Sequence, residues 1–230
     1  MQDLSTKNFT IGAILAAISG IVLISLSLLI GKIDLFLFLN ADLGSIADKL
    51  FEYITYLGDG SIWIPVAIFV LLFRKKYTIL LLGSIVYSTL FSQLTKTFLF
   101  PFEPRPTKLI KDFSLIHTVS GVELHSVYSF PSGHTTTACS IFLLGCLLIP
   151  KKWIIPVGFI YALLVGYSRI YLAQHFLGDV LVGAFIGTVS GILAVFLSGK
   201  LTWHWISYPK LKPKGSEIKS PSSAGTIQPV

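Results

Sequence analysis

Residues 168–179 have the sequence SRIYLAQHFLGD and place an arginine, a histidine and an aspartate between two long apolar runs. Charged residues make up 13% of the chain, and ionisable side chains at membrane depth are costly unless they line a cavity or take part in chemistry. This stretch therefore predicts two membrane helices that end beside a polar site.

Six apolar runs are candidates for membrane-spanning helices: residues 11–30, 61–73, 77–100, 135–149, 153–167 and 180–197. The first has twenty residues without a charge, enough to cross the hydrocarbon core and too long for a cleaved signal peptide. The second, fourth and fifth are short for a full crossing, so we expect them to extend through their polar flanks or to border a cavity. With 53% hydrophobic residues, the chain is predicted to be all-α, a six-transmembrane-helix bundle forming one membrane domain, residues 1–208.

Basic residues beside the helix ends predict the orientation of this bundle. If the N-terminus is cytoplasmic, eleven of the eighteen Lys and Arg lie inside: Lys7, residues 74–76, Lys151, Lys152 and the five lysines from Lys200 onward. The positive-inside rule then places both termini in the cytoplasm, with residues 209–230 as a flexible basic tail. The protein is expected in the cell (inner) membrane. Because its net charge of +7 forms no continuous stripe, no nucleic-acid partner is expected.

Two segments between the apolar runs are expected on the outer side. The first, residues 40–60, predicts either a short external amphipathic helix at the interface or a solvated connecting helix with one packed face. The apolar face of that helix consists of Ile46, Leu50, Phe51 and Ile54. The second, residues 102–130, is a long polar loop whose His117 and His125 either contact a headgroup or are solvated, the more common case.

Three polar clusters fall on the same predicted outer face. They are residues 96–106 (KTFLFPFEPRP), residues 131–134 (PSGH) and residues 168–179. Each has an ordinary explanation when taken alone: a lysine or arginine that snorkels to the interface, a capped helix start, or a buried polar pair. Their convergence on one face instead predicts a pocket for a multiply charged oxyanion.

The residue types in these clusters suit phosphoryl transfer. Ser132 is a good N-cap and Gly133 permits close approach of a ligand, so the helix start favours an anion beside His134. His175 and Asp179 are four residues apart, so on a helix the carboxylate can fix the ring tautomer and leave the other nitrogen as nucleophile or base. The cations suited to stabilise phosphoryl oxygens are Lys96, Arg105 and Arg169.

With these residues in view, the chain resembles the type 2 phosphatidic acid phosphatase family of membrane lipid phosphatases, whose fold is shared with glucose-6-phosphatase and vanadium haloperoxidases. The family has three motifs: Lys, six residues, Arg-Pro; Pro-Ser-Gly-His; and Ser-Arg, five residues, His, three residues, Asp. The second and third are complete here. The first departs, because eight residues separate Lys96 from Arg105. Either the intervening residues bulge outward and Lys96 reaches the site, or Lys108 or Lys111 substitutes for it.

The resemblance implies a role for each of these residues. His175 attacks phosphorus and forms a phosphohistidine, Asp179 orients that histidine, and His134 protonates the leaving group and later activates water. The groups implied to hold the phosphoryl oxygens are Lys96, Arg105, Ser132, the Gly133 amide and Arg169. The resemblance implies no cofactor, and the sequence has neither the cysteine spacing of a zinc site nor an acidic metal cluster, so no metal is expected.

The function that this resemblance implies is hydrolysis of a lipid phosphate at the outer membrane face, in the periplasm or exterior. Candidate substrates, presented by the bilayer, are polyprenyl diphosphate, phosphatidylglycerol phosphate, phosphatidic acid and a lipid A phosphate. A lipid phosphotransferase is a close variant, since a phosphohistidine can pass to an acceptor other than water. A non-catalytic transporter or phospholipid-binding protein is the alternative from another class. The paired His175 and Asp179 argue against it, because binding alone needs no oriented imidazole.

Overall fold

The computed structural model describes residues 4–207, with side chains described up to residue 199, and that part is helical without any β-strand. The predicted all-α class is therefore confirmed. Nine α-helices follow one another in the described part: α1 Thr6–Ile30, α2 Lys32–Leu39, α3 Ser45–Tyr56, α4 Trp63–Phe73, α5 Thr78–Leu94, α6 Pro106–Leu109, α7 Gly133–Leu148, α8 Ile154–Tyr171 and α9 Leu177–Ser207. A π-helical turn, Thr95–Leu99, extends α5. The predicted tail, residues 209–230, lies outside the described residues.

The helices that correspond to the predicted membrane runs differ in length. Four of those described are long and apolar enough to cross a membrane: α1, the segment Lys75–Leu99 that contains α5, α8, and α9 up to Gly199. Helices α3 and α4 pass the same test together, although a break between them bends the pair by 58°. Length and composition therefore support four spans, or five if the bent pair is one span. The count of six stays a prediction.

Helix α7 is the central helix of the bundle. It has 16 residues, eleven of which are buried, and it packs against α1, α5, α8 and α9. Neighbouring helices therefore surround α7 along most of its length. Its apolar side chains form the core of the protein, so the length of its apolar run does not have to match the thickness of a bilayer.

Two glycines bring α9 against the start of α7. A Cβ atom on Gly183 would lie 2.4 Å from the carbonyl oxygen of Ser132, and one on Gly187 would lie 2.5 Å from that of Thr136. Residues with a Cβ do not fit at these distances, so glycine is required for the close approach. At the polar end the Ser132 amide donates to the carbonyl oxygen of Asp179 at 2.9 Å. The N-terminal ends of α7 and α9 consequently lie side by side.

Helix α3, predicted as an external amphipathic helix, is attached to the bundle through Phe51. This side chain is buried, with its ring centroid 5.1 Å from that of Tyr167 and 4.7 Å from that of Tyr171. Ile46 and Leu50 of the predicted apolar face are exposed. Because α3 packs along α8 and continues through the break into α4, it forms a wall of the bundle. Its placement in the outer interface stays a prediction.

The long loop of residues 102–130 is attached to this wall through His117. The Nε2 atom lies 2.9 Å from Asp48 Oδ1, which also accepts a hydrogen bond from the Tyr171 hydroxyl at 2.6 Å. Asn40 pairs with the backbone of His117 in both directions, at 2.9 and 3.1 Å. The histidine is therefore a structural clamp. The expectation of a solvated loop histidine is wrong for His117, whereas His125 is exposed.

Candidate active site

The N-terminus of α7 is capped as its sequence predicts. Ser132 Oγ accepts hydrogen bonds from the Thr135 amide at 3.4 Å and from the Thr135 hydroxyl at 2.9 Å, and Ser132 is fully buried. The first amides of a helix lack acceptors within it, so those of Gly133 and His134 are available at the helix end. This end of α7 is a favourable place for an anion.

His175 lies in the turn between α8 and α9, and Asp179 lies in the first turn of α9. The expectation that both share a helix is wrong, because α9 begins at Leu177. Nδ1 of His175 nevertheless lies 3.5 Å from Oδ2 of Asp179. The contact is an ion-pair distance without hydrogen-bond geometry, since the buried Nδ1 has no hydrogen-bond partner within residues 4–207.

Other donors hold the Asp179 carboxylate in place. Its Oδ2 accepts hydrogen bonds from the Ser129 hydroxyl at 2.5 Å and from the Phe176 amide at 3.0 Å. The Ser129 amide in turn donates to the carbonyl oxygen of Glu103 at 3.1 Å. The carboxylate is therefore fixed beside the imidazole of His175 by its own set of hydrogen bonds.

The surroundings of His175 favour the neutral imidazole. Only 1% of this residue is exposed. Burial, the largest cause, and the positive charges of Arg105, Arg169 and Lys96 hold the pKa of His175 well below its ordinary value. A neutral imidazole has a nitrogen lone pair, which nucleophilic attack requires.

Arg169, in the last turn of α8, has a donor left for a ligand. Its Nη1 donates to Thr55 Oγ1 at 2.5 Å, whereas its buried Nε has no hydrogen-bond partner among the described residues. A buried donor without a partner is costly, and a bound oxyanion would satisfy it. The position of Arg169 is thus compatible with the phosphate-binding role that the sequence predicts.

Arg105 uses most of its donors within the protein. Nε donates to the carbonyl oxygen of Val127 at 3.0 Å, and Nη2 to that of Tyr128 at 3.5 Å. Nη1 donates to the backbone oxygen and to Oε1 of Gln174, at 3.0 and 2.9 Å. These four bonds leave one of the five guanidinium N–H groups for a ligand. Arg105 therefore connects the loop of residues 102–130 to the turn that carries His175.

Lys96 lies in the π-helical turn at the end of α5. The Phe100 amide donates to the carbonyl oxygen of Thr95, five residues back, at 3.0 Å, and a turn of this kind contains more residues than an α-helical one. Lys96 and Arg105 line one cavity of about 550 Å³. The charge of Lys96 also acts on Arg105 and Asp179, so the structure brings this lysine to the site.

The residues between Lys96 and Arg105 bulge outward, which is one of the two alternatives that the altered spacing left open. The exposed apolar side chains in this bulge are Phe98, Leu99, Phe100 and Phe102. Lys108 and Lys111 are exposed and are not among the residues that line the cavity. The structure therefore favours Lys96 over either substitute.

Three residues that contact the site were not singled out from the sequence: Thr55, Ser129 and Gln174. Ser129 and Gln174 each lie within two residues of a motif, or inside one, and this proximity is a signal that could have indicated them. Thr55 is separated from its partner Arg169 by 114 residues, so no local pattern indicates their contact.

One group of possible metal ligands occurs in the described part of the chain, although no sequence pattern predicts it. Asp42, Asp48 and His117 bring their ligand atoms within 4.8 Å of one another. Asp48 Oδ1 already accepts hydrogen bonds from His117 and Tyr171. This group therefore serves to attach the loop of residues 102–130 to α3 and α8.

Comparison with known proteins identifies the family to which the chain belongs. A family model described as the PAP2 superfamily matches residues 77–203, more than half of the chain. The chain belongs to this superfamily, which confirms the resemblance found in the motifs.

Individual relatives are named as phosphatases of lipids. The chain is 28% identical over 167 residues to an undecaprenyl-diphosphatase of Sulfolobus acidocaldarius, covering 71% of this chain and 77% of that protein. It is 30% identical over 183 residues to a lipid A 4'-phosphatase of Porphyromonas gingivalis, covering 76% and 77%. The crystal structure of Aquifex aeolicus LpxE superposes with a TM-score of 0.63 at 34% identity, covering 72% and 94%. The enzyme class of the chain is accordingly that of lipid phosphate hydrolases.

Proposed function

We propose that this chain is an integral membrane phosphatase that hydrolyses a lipid phosphate or diphosphate through a phosphohistidine formed on His175, without a metal ion. The observation that carries the proposal is the buried His175 beside the fixed carboxylate of Asp179, in surroundings that lower the pKa of His175 and so favour its neutral form. Within reach of the same site are an unpartnered guanidinium nitrogen of Arg169, in the described part of the chain, and the N-terminal end of α7. A nucleophile and an oxyanion cradle together are what phosphoryl transfer requires.

In the first step, a ring nitrogen of neutral His175 forms a bond to phosphorus while the bond from phosphorus to the leaving oxygen breaks. Asp179 stabilises the positive charge that develops on the imidazole. His134, in the first turn of α7, gives its proton to the leaving oxygen. In the second step, His134 accepts a proton from water, the water oxygen attacks phosphorus, and the nitrogen–phosphorus bond breaks to release phosphate.

Cationic groups of the protein stabilise the phosphoryl oxygens in this scheme. Lys96, Arg169 and the remaining donor of Arg105 supply positive charge, and the Gly133 amide and the capping Ser132 supply the helix end. Loss of one such donor typically costs about 2.7–4 kcal/mol of transition-state stabilisation, judged from an unrelated hydrolase.

A lipid substrate is supported by an apolar cavity beside this cluster. The cavity has a volume of about 230 Å³ and lies between α1, α7, α8 and α9. Its walls include Leu23, Ile170 and Leu181, and it extends to Thr135, the neighbour of His134. A phosphate held at the start of α7 can therefore be attached to an apolar chain that lies between these helices. Polyprenyl diphosphate, phosphatidylglycerol phosphate, phosphatidic acid and lipid A phosphates all share this chemistry.

The position of the site in the bundle is compatible with the following placement of the chain in the membrane. The residues of the cluster lie at the end of α5, the start of α7, the end of α8 and the start of α9, and thus at one end of the bundle. We place this end at the outer face of the cell membrane and both termini in the cytoplasm, with α7 and the bent pair completing six crossings. The distribution of lysine and arginine supports this arrangement.

The test is phosphate release by the purified protein in detergent with EDTA, over a panel of the four lipid classes. We expect release from at least one lipid, its loss in His175→Ala, and wild-type release in Lys111→Ala, an exposed loop variant. Phosphate release that requires added metal would refute metal independence. A folded wild type that binds orthovanadate but releases no phosphate would instead indicate a binding or transport protein.

A further inference from the structure

Three serines on α5 differ in how their hydroxyl groups are satisfied. Ser84 and Ser88 donate to carbonyl oxygens of their own helix, those of Leu80 at 2.9 Å and Ile85 at 3.1 Å. Ser92, one turn further on, is 4% exposed, and its hydroxyl has no hydrogen-bond partner in the described part of the chain. Buried hydroxyl groups are nearly always paired, so this exception indicates a missing partner.

The Ser92 hydroxyl lies beside the N-terminus of α7. A Cβ atom placed on Gly133 would lie 3.6 Å from Ser92 Oγ, and among the described residues this hydroxyl is the nearest group beyond the adjoining backbone. Gly133 is the first residue of α7 and its amide is one of those available at the helix end. The Ser92 hydroxyl, which has no partner among the described residues, therefore lies beside a helix end that favours anions.

Ser92 also lies four residues before Lys96, which is in the π-helical turn that follows α5. Residues 93, 96 and 97 line the cavity shared with Arg105, so this end of α5 borders the proposed phosphate site. Two more buried polar atoms without hydrogen-bond partners in residues 4–207, Arg169 Nε and His175 Nδ1, belong to that site. A phosphoryl group held at the N-terminus of α7 has oxygen atoms enough to accept hydrogen bonds from both the Ser92 hydroxyl and Arg169 Nε.

We propose that Ser92 is a further oxyanion-binding residue, whose hydroxyl donates a hydrogen bond to a phosphoryl oxygen held at the N-terminus of α7. This inference rests on the proposed function, because it takes the phosphate of a lipid as the ligand. None of the three family motifs includes Ser92. The residue adds a donor from α5 to the groups that the three motifs supply, so the phosphoryl group is held between α5, α7 and α8.

The experiment compares Ser92→Ala with Ser88→Ala, a matched removal of a buried hydroxyl one turn away on the same helix. Binding of orthovanadate is measured as the rise in thermal unfolding midpoint of the detergent-purified protein, and kcat/KM is measured on the preferred lipid. We expect Ser92→Ala to weaken orthovanadate binding and to lower kcat/KM by about 10-fold or more, as for loss of a hydrogen bond to a charged group. Ser88→Ala should leave both quantities near the wild-type values.

The thermal unfolding midpoint of the ligand-free protein should change in opposite directions in the two variants. Ser92→Ala removes a buried hydroxyl that lacks a partner among the described residues, so its unfolding midpoint without ligand should equal or exceed that of the wild type. Ser88→Ala removes a satisfied hydroxyl, so its midpoint should fall. A merely structural role for Ser92 would instead lower the midpoint and leave the orthovanadate affinity unchanged.

The outcomes separate this inference from the function on which it rests. Wild-type affinity for orthovanadate in Ser92→Ala overturns the role of Ser92 while the phosphatase stands. A wild type that binds orthovanadate without releasing phosphate overturns the phosphatase, and the affinity of Ser92→Ala still decides the role of Ser92. A wild type that neither binds orthovanadate nor releases phosphate overturns both.

Discussion

Individual residues of the site differ in how many of their polar groups the protein itself satisfies. Arg105 has four of its five donors bonded to loop and turn oxygens, and it acts mainly as a tie between segments. Arg169 and Ser92 each have a buried polar atom without a partner in the described part. Residues of the second kind are the ones that gain most from a bound phosphoryl group, because the ligand removes an existing desolvation cost.

The titration of His175 leads to a prediction at the same scale. Its folded-state pKa is well below the ordinary value of 6.5, so the nucleophile is neutral at pH 6.5 and loses activity as the pH falls further. The acid limb of kcat/KM against pH should therefore have an apparent pKa below 6.5, and loss of the proton from His134, the general acid, should produce the basic limb of a bell-shaped profile. A flat profile between roughly pH 5 and 9 would contradict the paired-histidine mechanism.

A charge variant identifies the group responsible for the acid limb. The positive charge of Lys96 contributes to the low pKa of His175, so Lys96→Ala should move the acid limb to higher pH. The same variant should lower kcat/KM by on the order of 100-fold, as for loss of an oxyanion donor. Lys108→Ala, which removes an exposed lysine outside the cavity, is the control. An acid limb that stays in place in Lys96→Ala would assign that limb to ionisation of the substrate.

At the scale of elements, α3 and the break that follows it contribute residues to the site. Thr55 of α3 accepts the hydrogen bond from Arg169, and Gly58 in the break after α3 packs against His134, because a Cβ placed on Gly58 would lie 3.0 Å from the Cβ of that histidine. The charge of Asp59 acts on both Arg169 and His134. The bend between α3 and α4 therefore forms a wall of the site.

Thr55 provides the corresponding prediction. Thr55→Val keeps the shape of the side chain but removes the acceptor for Arg169, so kcat/KM should fall by roughly 10-fold and the inhibition constant for orthovanadate should rise by a similar factor. Thr55→Ser retains the hydroxyl and should remain close to the wild type. Thr188→Val, whose hydroxyl donates to the Ala184 carbonyl oxygen, controls for general loss of a threonine. Reduced activity with an unchanged inhibition constant would mean a structural effect.

The packing of α9 on α7 gives a second prediction for elements. Gly183→Ala would place a Cβ 2.4 Å from the Ser132 carbonyl oxygen and must separate the two helices. We expect a loss of about 1–3 kcal/mol in the free energy of unfolding, together with loss of activity. Gly20→Ala, at a half-buried position of α1 where an added Cβ would have no other atom within 4 Å, should be neutral or stabilising by up to about 1 kcal/mol. Equal stability of the two variants would show that α7 and α9 are not in close contact.

For the whole molecule, the arrangement of the site at one end of the bundle predicts a single outward-facing end. A cysteine in place of Lys108, in the outer loop, should react with a membrane-impermeant maleimide on intact cells. A cysteine in place of Lys75, between α4 and α5, should react after the membrane is opened. The native Cys139 and Cys146 are buried, so the wild type should give a low background. Labelling of the Lys75 variant alone on intact cells would reverse the proposed orientation.

The sequence by itself determined the helical class, the apolar runs and the three motifs, because helix formation, membrane partitioning and motif spacing depend on residues that are near one another in the chain. Only the tertiary structure decided that Lys96 reaches the cavity through a π-helical turn, and that His175 lies in a turn before α9. It also decided that His117 is a clamp and that Thr55 and Ser92 border the site. The contacts of His117, Thr55 and Ser92 join residues far apart in sequence, so they depend on how the helices pack and not on any local pattern.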